Sequence, residues 1–183
     1  MAVTISPGVE KTMSVWDIEK TVLDMYFGSN FGMSYEEALR ASNRIREAVR
    51  MAISDRNMLK KSYWEKNWPR IVRDVVGSKY LGYPVPVMAH GPPGIGKSAS
   101  IMSAGRKIAE VLGLDFSTSI ADLSDLTKFC VIDARASQLE YVDVTGIPSV
   151  STEAGMPVTR FVLPNWLPRN LFGLLFFDEL ALA

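Results

Sequence analysis

The feature that most constrains the fold is a glycine-rich segment, GPPGIGKS, at residues 91–98. It fits the pattern of a glycine, any four residues, a second glycine, a lysine and a serine or threonine. Glycines allow the backbone to wrap around a phosphate chain with its N–H groups pointing inward. Lys97 would then reach the β- and γ-phosphates of a nucleotide, and the Ser98 hydroxyl would ligate Mg²⁺. The alternative is a glycine turn that merely joins a strand to a helix.

The surroundings of this segment favour phosphate binding. A short apolar strand is predicted at residues 86–89, directly before it, and the helix predicted after it stops at Gly113. A helix that begins at this point directs its positively polarised N-terminus at the phosphates. The residues expected to bind the nucleotide are Gly91, Pro92, Pro93, Gly94, Ile95, Gly96, Lys97, Ser98 and Ala99.

A second element supplies the acidic residues that such a site needs. The sequence GLLFFDE at residues 173–179 places Asp178 and Glu179 at the end of a hydrophobic strand. Asp178 would face the Mg²⁺, and Glu179 would polarise the water that attacks the γ-phosphate, with Lys97 as the second catalytic residue. The alternative is an ordinary acidic strand end. Because the chain lacks the N-K-x-D sequence typical of guanine recognition, ATP is favoured by elimination.

The order of the predicted elements indicates an α/β fold. Strands are predicted at residues 86–89, 128–134 and 171–179, and the helix after the glycine-rich segment lies between the first two. This alternation predicts a parallel sheet with helices on its faces. Residues 146–164 are rich in Gly, Pro and Ser and alternate in hydrophobicity near their end, which predicts a β-hairpin or a loop insertion.

The N-terminal part of the chain, to about residue 76, is predicted to be helical. Ser14 with Asp17, and Ser34 with Glu37, have the spacing of helix N-terminal caps, and the second pair precedes an apolar stripe at helical spacing. The sequence GSNFG at residues 28–32 predicts a break between the two helices.

A further helical segment is predicted to be interrupted, or to start, near Pro69. We therefore expect a helical N-terminal region at residues 1–68. The phosphate-loop core is then expected at residues 69–183.

Composition excludes several classes of protein. The 183 residues include 20 basic and 20 acidic side chains, and this zero formal charge removes the simplest argument for a nucleic-acid-binding protein. The single cysteine, Cys130, cannot form a disulfide within the chain and is expected to be buried in a strand. The sequence shows no secretory signal and no apolar run long enough to span a membrane. A cytoplasmic location is expected.

Two groups of charged residues have alternative interpretations. Basic residues interleaved with Tyr63, Trp64 and Trp68 could bind nucleic acid, but a solvated charged face with the aromatic residues packed on the core is favoured, because acidic residues dilute the patch. The basic residues are Arg56, Lys60, Lys61, Lys66, Arg70 and Arg73. Asp133 and Arg135, after the second strand, either orient groups of the nucleotide site or form a local ion pair, which is the preferred interpretation.

The combination of GPPGIGKS and LLFFDE resembles the AAA+ ATPases, in which these segments are the Walker A and Walker B motifs. The stretches SQLEYVDVTGIP, RFVLPNWLP and FDELALA make the chain similar to the MoxR-like and dynein-related branch. There, an Asp-hydrophobic-x-Gly segment, here residues 143–146, precedes a loop insertion. A hydrophobic approach to Walker B follows, here at residues 161–167. The resemblance covers roughly residues 70–183.

The resemblance implies a homo-oligomeric ring, usually a hexamer, with ATP between neighbouring subunits. It implies that hydrolysis remodels or loads a bound protein, and that the insertion at residues 146–164 either faces this partner or is a passive loop. The family's sheet places a fourth strand between the first and the third, and this chain offers candidates only for the first three. We therefore expect a core truncated after Walker B, which binds nucleotide poorly and hydrolyses it slowly.

Three functions remain open at this point. The first is an ATPase that remodels a macromolecular partner, and the second is a nucleotide-gated assembly module with little hydrolysis. Glu179 favours the first, because a pure binding module needs no carboxylate to polarise water. The third is an ATPase subunit of a nucleic-acid-acting system, in which the basic N-terminal helices grip the polymer.

Overall fold

The structure is a computed structural model that describes residues 2–4, 10–12, 14–82, 86–90, 92–153 and 155–179. The helices are α1 (Val15–Phe31), α2 (Tyr35–Arg40), α3 (Ser42–Ser54), α4 (Lys61–Ile71), α5 (Lys97–Leu112) and α6 (Tyr141–Thr145). The strands are β1 (Ala2–Thr4), β2 (Glu10–Thr12), β3 (Met88–His90), β4 (Asp115–Ser117), β5 (Lys128–Arg135), β6 (Ile147–Glu153), β7 (Met156–Val162) and β8 (Gly173–Asp178).

Strands β4, β5 and β8 form a parallel sheet with β5 at its centre, and helix α5 packs against all three. The pairing of β5 with β8 runs from Cys130 opposite Gly173 to Arg135 opposite Asp178. The chain is thus a mixed α/β protein with a three-stranded parallel sheet flanked by helices, and this confirms the predicted α/β class. One strand of the sheet, β4, was not predicted, and the strand predicted at residues 86–89 does not belong to it. Since parallel strands end at the same edge, the residues after β5 and β8 lie near each other.

The strand before the glycine-rich segment differs from its prediction. It runs over Met88–His90 instead of residues 86–89 and pairs antiparallel with β1, which also pairs with β2. In the described part of the chain, β3 is therefore hydrogen-bonded outside the parallel sheet. The two strands β1 and β2 also fall within a region predicted to be helical. Strands of three residues carry too little alternation for a sequence pattern to detect.

The N-terminal helices begin where their caps predicted. At both Ser14 and Ser34 the side chain caps the helix and the acidic residue three positions later closes the box. The predicted break between the two helices at residues 28–32 is confirmed at the end of that range: α1 continues through Gly28 and ends at Phe31, capped by Gly32, whose φ is +64°. Glycine costs a helix interior only about 1 kcal/mol relative to alanine, and packing of α1 outweighs that cost.

Pro69 lies inside helix α4 and does not end it. The helix passes into a π-helical turn at Val72–Val76, which ends at Gly77. Proline removes one backbone donor from a helix, and a wider turn is one of the ways in which helices absorb such a defect.

One hydrophobic core joins the N-terminal helices to the segment around the sheet. Its buried members come from α1, α3, α4, α5 and β5, so the described chain does not divide into two cores near residue 68. Aromatic side chains connect the two parts: Trp68 is fully buried, stacks on Trp64 with ring centroids 4.7 Å apart and contacts Phe31 and Phe172 edge-on. Trp64 and Trp68 therefore pack on the core, as expected, whereas Tyr63 is 37% exposed.

The hairpin predicted within residues 146–164 is confirmed. Strands β6 and β7 pair antiparallel from Ile147 opposite Val162 to Glu153 opposite Met156. Most of the described hairpin side chains are exposed. Among the residues that the structure describes, every helix is too short or too polar to cross a bilayer.

Candidate functional site

The glycine-rich segment forms a turn between β3 and helix α5. Gly94 and Gly96 have φ values of +79° and +89°, a left-handed region that side chains with a Cβ rarely adopt. Helix α5 starts directly afterwards at Lys97, and the Gly96 carbonyl accepts hydrogen bonds from the Ser100 amide (2.9 Å) and the Ser100 hydroxyl (3.0 Å). The loop is thus fixed to the first turn of the helix. Gly91 lies outside the described residues.

The Lys97 side chain folds back over the loop. Its Nζ donates a hydrogen bond of 3.0 Å to the carbonyl oxygen of Pro92, at the opposite end of the turn. The ammonium group is therefore held over the loop's own backbone, where a bound phosphate would meet it. Pro93 and Ala99 are exposed, and Ile95 is half-buried.

Ser98 and Asp178 contact each other directly. The Ser98 hydroxyl donates a hydrogen bond of 3.0 Å to Oδ2 of Asp178, and both side chains are half-buried. The two residues are 80 positions apart in the chain. They meet because Ser98 lies in the first turn of α5 and Asp178 is the last residue of β8. The two predicted magnesium ligands are therefore neighbours.

Glu179 lies at the same edge of the sheet, with its carboxylate directed along it. Its backbone amide donates to Oδ1 of Asp178 at 2.9 Å, and its φ is +59°, which is uncommon for a residue other than glycine. The hydroxyl of Ser137, in the short turn after β5, donates to the Glu179 carboxylate. Glu179 is thus anchored to the end of β5.

Asp133 is a further acidic residue at this edge. Burial, the negative charge of Asp178 and that of Glu179 raise the pKa of Asp133, whereas Arg135 opposes the shift. The expected ion pair between Asp133 and Arg135 is not among those formed by the described residues. The Asp133 carboxylate belongs instead to the electrostatic surroundings of the site. A cleft of about 390 Å³ opens beside it. Ile132, Asp133 and Arg135 of β5 line this cleft together with Thr118, which follows β4, and Trp166.

Sequence reasoning missed Ser137. The available signal was position: Ser137 follows the second predicted strand by a few residues, and polar residues just after parallel strands converge at one edge. Its partner could not be found that way, because the path of the chain after β5 is a short 3₁₀ turn without a distinctive sequence.

The described residues hold no group of three or more His, Cys, Asp or Glu side chains arranged to bind a metal ion by themselves. A site that shares its cation with a nucleotide does not need such a group, since Mg²⁺ is usually bound by one or two protein ligands together with phosphates and water. Comparisons of the chain with models of protein families, with curated proteins and with solved structures found no match.

Proposed function

We propose that the chain binds ATP with Mg²⁺ at the glycine-rich segment and hydrolyses the β–γ phosphoanhydride, as an AAA+ ATPase of the MoxR-like type. The observation that carries the proposal is the 3.0 Å hydrogen bond between Ser98 and Asp178. Two sequence motifs predicted separately supply one residue each to this contact. If the segment were only a turn that joins a strand to a helix, the acidic end of β8 would not be expected to lie beside it.

The residue types at the site are suited to binding a nucleotide together with Mg²⁺. Gly94 has open space around the position of a Cβ among the described atoms, so phosphate oxygens can approach the loop backbone. Ser98 and Asp178 offer a hydroxyl and a carboxylate, both hard oxygen ligands. Lys97 adds a cation that can leave the Pro92 carbonyl for a phosphate, because an anionic acceptor makes the stronger hydrogen bond. When bound, Mg²⁺ would neutralise charge on the phosphate oxygens.

In this proposal each residue has one role. The loop backbone and the N-terminus of α5 bind the phosphates, and Lys97 stabilises charge on them. Asp178 orients the Ser98 hydroxyl. Glu179 accepts the proton of the attacking water once its carboxylate has left Ser137.

A second function, a nucleotide-gated assembly module, is favoured by one observation. The Glu179 carboxylate is engaged by Ser137, so nucleotide binding and water activation need not occur together. Glu179→Gln separates the two functions. If nucleotide-dependent assembly, measured by analytical ultracentrifugation, is unchanged in Glu179→Gln while phosphate release stops, the assembly module is the better description.

The wider proposal includes a homo-oligomeric ring, a protein that the ring remodels and a cytoplasmic location. It is supported by the same motifs and by the apolar hairpin β6–β7, which exposes Val150 and Phe161 to a partner. Cys130 is a buried free thiol, which suits a reducing compartment.

The experiment is calorimetric titration of the folded chain with ATP, with and without Mg²⁺. We expect binding that is tighter with Mg²⁺. Lys97→Ala should weaken it about 10- to 100-fold, the effect of removing a charged hydrogen bond. Ser98→Ala and Asp178→Asn should abolish the magnesium dependence, whereas Ser62→Ala and Asp115→Asn, at exposed positions, should change nothing. Absence of binding to the folded chain at millimolar ATP would refute the proposal.

A further inference from the structure

Positive charge is concentrated in one part of the chain. Residues 40–79 contain eleven of the 20 basic residues but only four of the 20 acidic residues, which gives this segment a formal charge of +7 and leaves −7 on the rest. The zero net charge of the whole chain hides this separation. A local excess of this size creates a strong positive potential wherever the side chains reach solvent.

The structure directs these charges outward. Ten of the eleven basic side chains are exposed, and the remaining one, Arg46, is half-buried and donates to the Glu110 carbonyl. Helix α3 contacts α4 and the π-helical turn, and the Arg44 guanidinium lies against Gly77. Basic side chains of both helices therefore reach solvent.

Helix α4 separates its aromatic and basic side chains onto opposite faces. Trp64 and Trp68 point into the core, where they stack on each other. Lys66 and Arg70 are four residues apart in α4, which places them on one helical face, opposite Trp68, and Arg73 follows three residues later in the π-helical turn. We call these three residues the basic stripe. At a rise of about 1.5 Å per residue it extends over about 10 Å.

The acidic residues that dilute this segment in the sequence lie beside the stripe. Glu65 is four residues from Lys61 and pairs with it at 3.8 Å. Asp74 pairs with Arg73 at 2.7 Å, and its pKa is lowered by the Arg73 hydrogen bond and, more weakly, by the charge of Arg70. The carboxylates are thus balanced by local cations, and the segment keeps its positive excess.

We propose that the basic stripe binds the phosphodiester backbone of a nucleic acid. The spacing of one cation per helical turn suits a polymer whose charges are evenly spaced. The acidic residues of the rest of the chain are spread over α1, α2, α5 and the loops of the parallel sheet. A second copy of the chain therefore offers negative charges that are less evenly spaced than the phosphates of a nucleic acid.

The buried aromatic residues determine the kind of recognition. Trp68 is fully buried and Trp64 is packed against it, so neither ring is available to stack on a base. Tyr63, which is 37% exposed, supplies at most one stacking contact. Recognition then rests mainly on phosphate contacts, which carry no sequence information.

Because Arg73 is already paired with Asp74, Lys66 and Arg70 supply two uncompensated contacts. On duplex DNA, two contacts predict that log Kobs falls with log salt concentration with a slope of about −1.8, and that binding is weak at physiological salt.

The test is fluorescence anisotropy of labelled duplex DNA, single-stranded DNA and duplex RNA, titrated with the full chain at several salt concentrations. The variant is Lys66→Glu with Arg70→Glu. We expect it to bind duplex DNA at least tenfold more weakly and to reduce the salt slope by about two. The matched control is Lys20→Glu with Arg169→Glu, two exposed positions outside the segment, which changes the net charge equally. Circular dichroism establishes that both variants are folded.

Two results would overturn the proposal: equal loss of binding in the control variant, or undiminished binding in the stripe variant. Concentration-dependent self-association that the stripe variant abolishes, without nucleic-acid binding by the original chain, would assign the surface to a second copy instead. Lys97→Ala keeps this test separate from the proposed ATPase function, because it should leave nucleic-acid binding unchanged. The two proposals can therefore fail independently.

Discussion

Glu19 of helix α1 forms an ion pair with Lys107 of helix α5, and the Glu19 side chain is only 9% exposed. The Lys107 side chain is 44% exposed, so water reaches the pair from one side. This contact joins the N-terminal helices to the helix that carries Lys97 and Ser98. It is therefore a polar contact between α1 and α5, the helix whose first turn forms part of the candidate site.

Glu19→Gln should lower the free energy of unfolding by about 1–2 kcal/mol. The amide keeps the shape of the side chain but removes the charge that Lys107 requires, and solvent screening of Lys107 keeps the loss moderate. Urea denaturation followed by circular dichroism measures it. Glu36→Gln, at an exposed position of α2, is the control and should change the stability by less than about 0.5 kcal/mol.

The same pair predicts how stability depends on pH. Burial by itself raises the pKa of Glu19, but hydrogen bonds from Lys107 and Ser103 outweigh it and the net pKa is lowered. Its stabilisation is therefore present above the unfolded pKa, about 4.3, and is lost as the pH falls through the lower folded value. The hydrogen bond to Glu19 raises the pKa of Lys107, so that contribution is lost only as the pH rises through the folded lysine value.

Thermal unfolding from pH 7 down to pH 2.5 measures how stability changes as Glu19 becomes protonated. We expect the original chain to lose more stability over this range than Glu19→Gln. Parallel profiles for the two proteins would contradict the prediction.

Gly105→Ala should destabilise the packing of α5 on the parallel sheet. A Cβ at Gly105 would lie 2.5 Å from Cγ2 of Val131 and 3.2 Å from the Phe116 ring. Overpacking of this kind costs about 1–3 kcal/mol. The matched control is Gly28→Ala in helix α1, where the described atoms leave at least 4 Å around a new Cβ, and we expect a gain of about 0.5–1 kcal/mol. Differential scanning calorimetry of both variants should show shifts of opposite sign.

Cys130 should be unreactive in the folded protein. It is 1% exposed in strand β5, and burial raises the pKa of its thiol. Because the thiolate is the reactive form, we expect a disulfide reagent to label the native chain at least roughly tenfold more slowly than the urea-unfolded chain. Equal labelling rates would show that β5 is accessible.

Strong local patterns made much of the fold predictable. Capping boxes at Ser14 and Ser34 marked helix starts, and apolar runs marked strands β5 and β8. Only β5 is buried, because Leu175 and Phe177 of β8 are exposed. What the sequence did not reveal depends on distant contacts. The pairing of β1 with β3 has no local signature, and Gly28 stays helical because the buried face of α1 outweighs its low propensity.

One contact of the candidate site could likewise be predicted from the sequence, and another could not. The neighbourhood of Ser98 and Asp178 was predicted from the two motifs, each of which supplies one magnesium ligand, and it holds although the strand before α5 pairs outside the parallel sheet. The contact between Ser137 and Glu179 was not, because it depends on the course of the turn after β5 and on the left-handed backbone of Glu179. A side chain that reaches the site through the geometry of a turn produces no periodic pattern in the sequence from which it could be predicted.

The separation of 80 positions between Ser98 and Asp178 has a consequence for synthesis. The ribosome synthesises Lys97 and Ser98 before it synthesises Asp178, the residue to which Ser98 is hydrogen-bonded. A nascent chain without β8 can form α5 and the loop but not the complete site. Under the proposed function, nucleotide can bind to the complete site only after β8 has paired with β5.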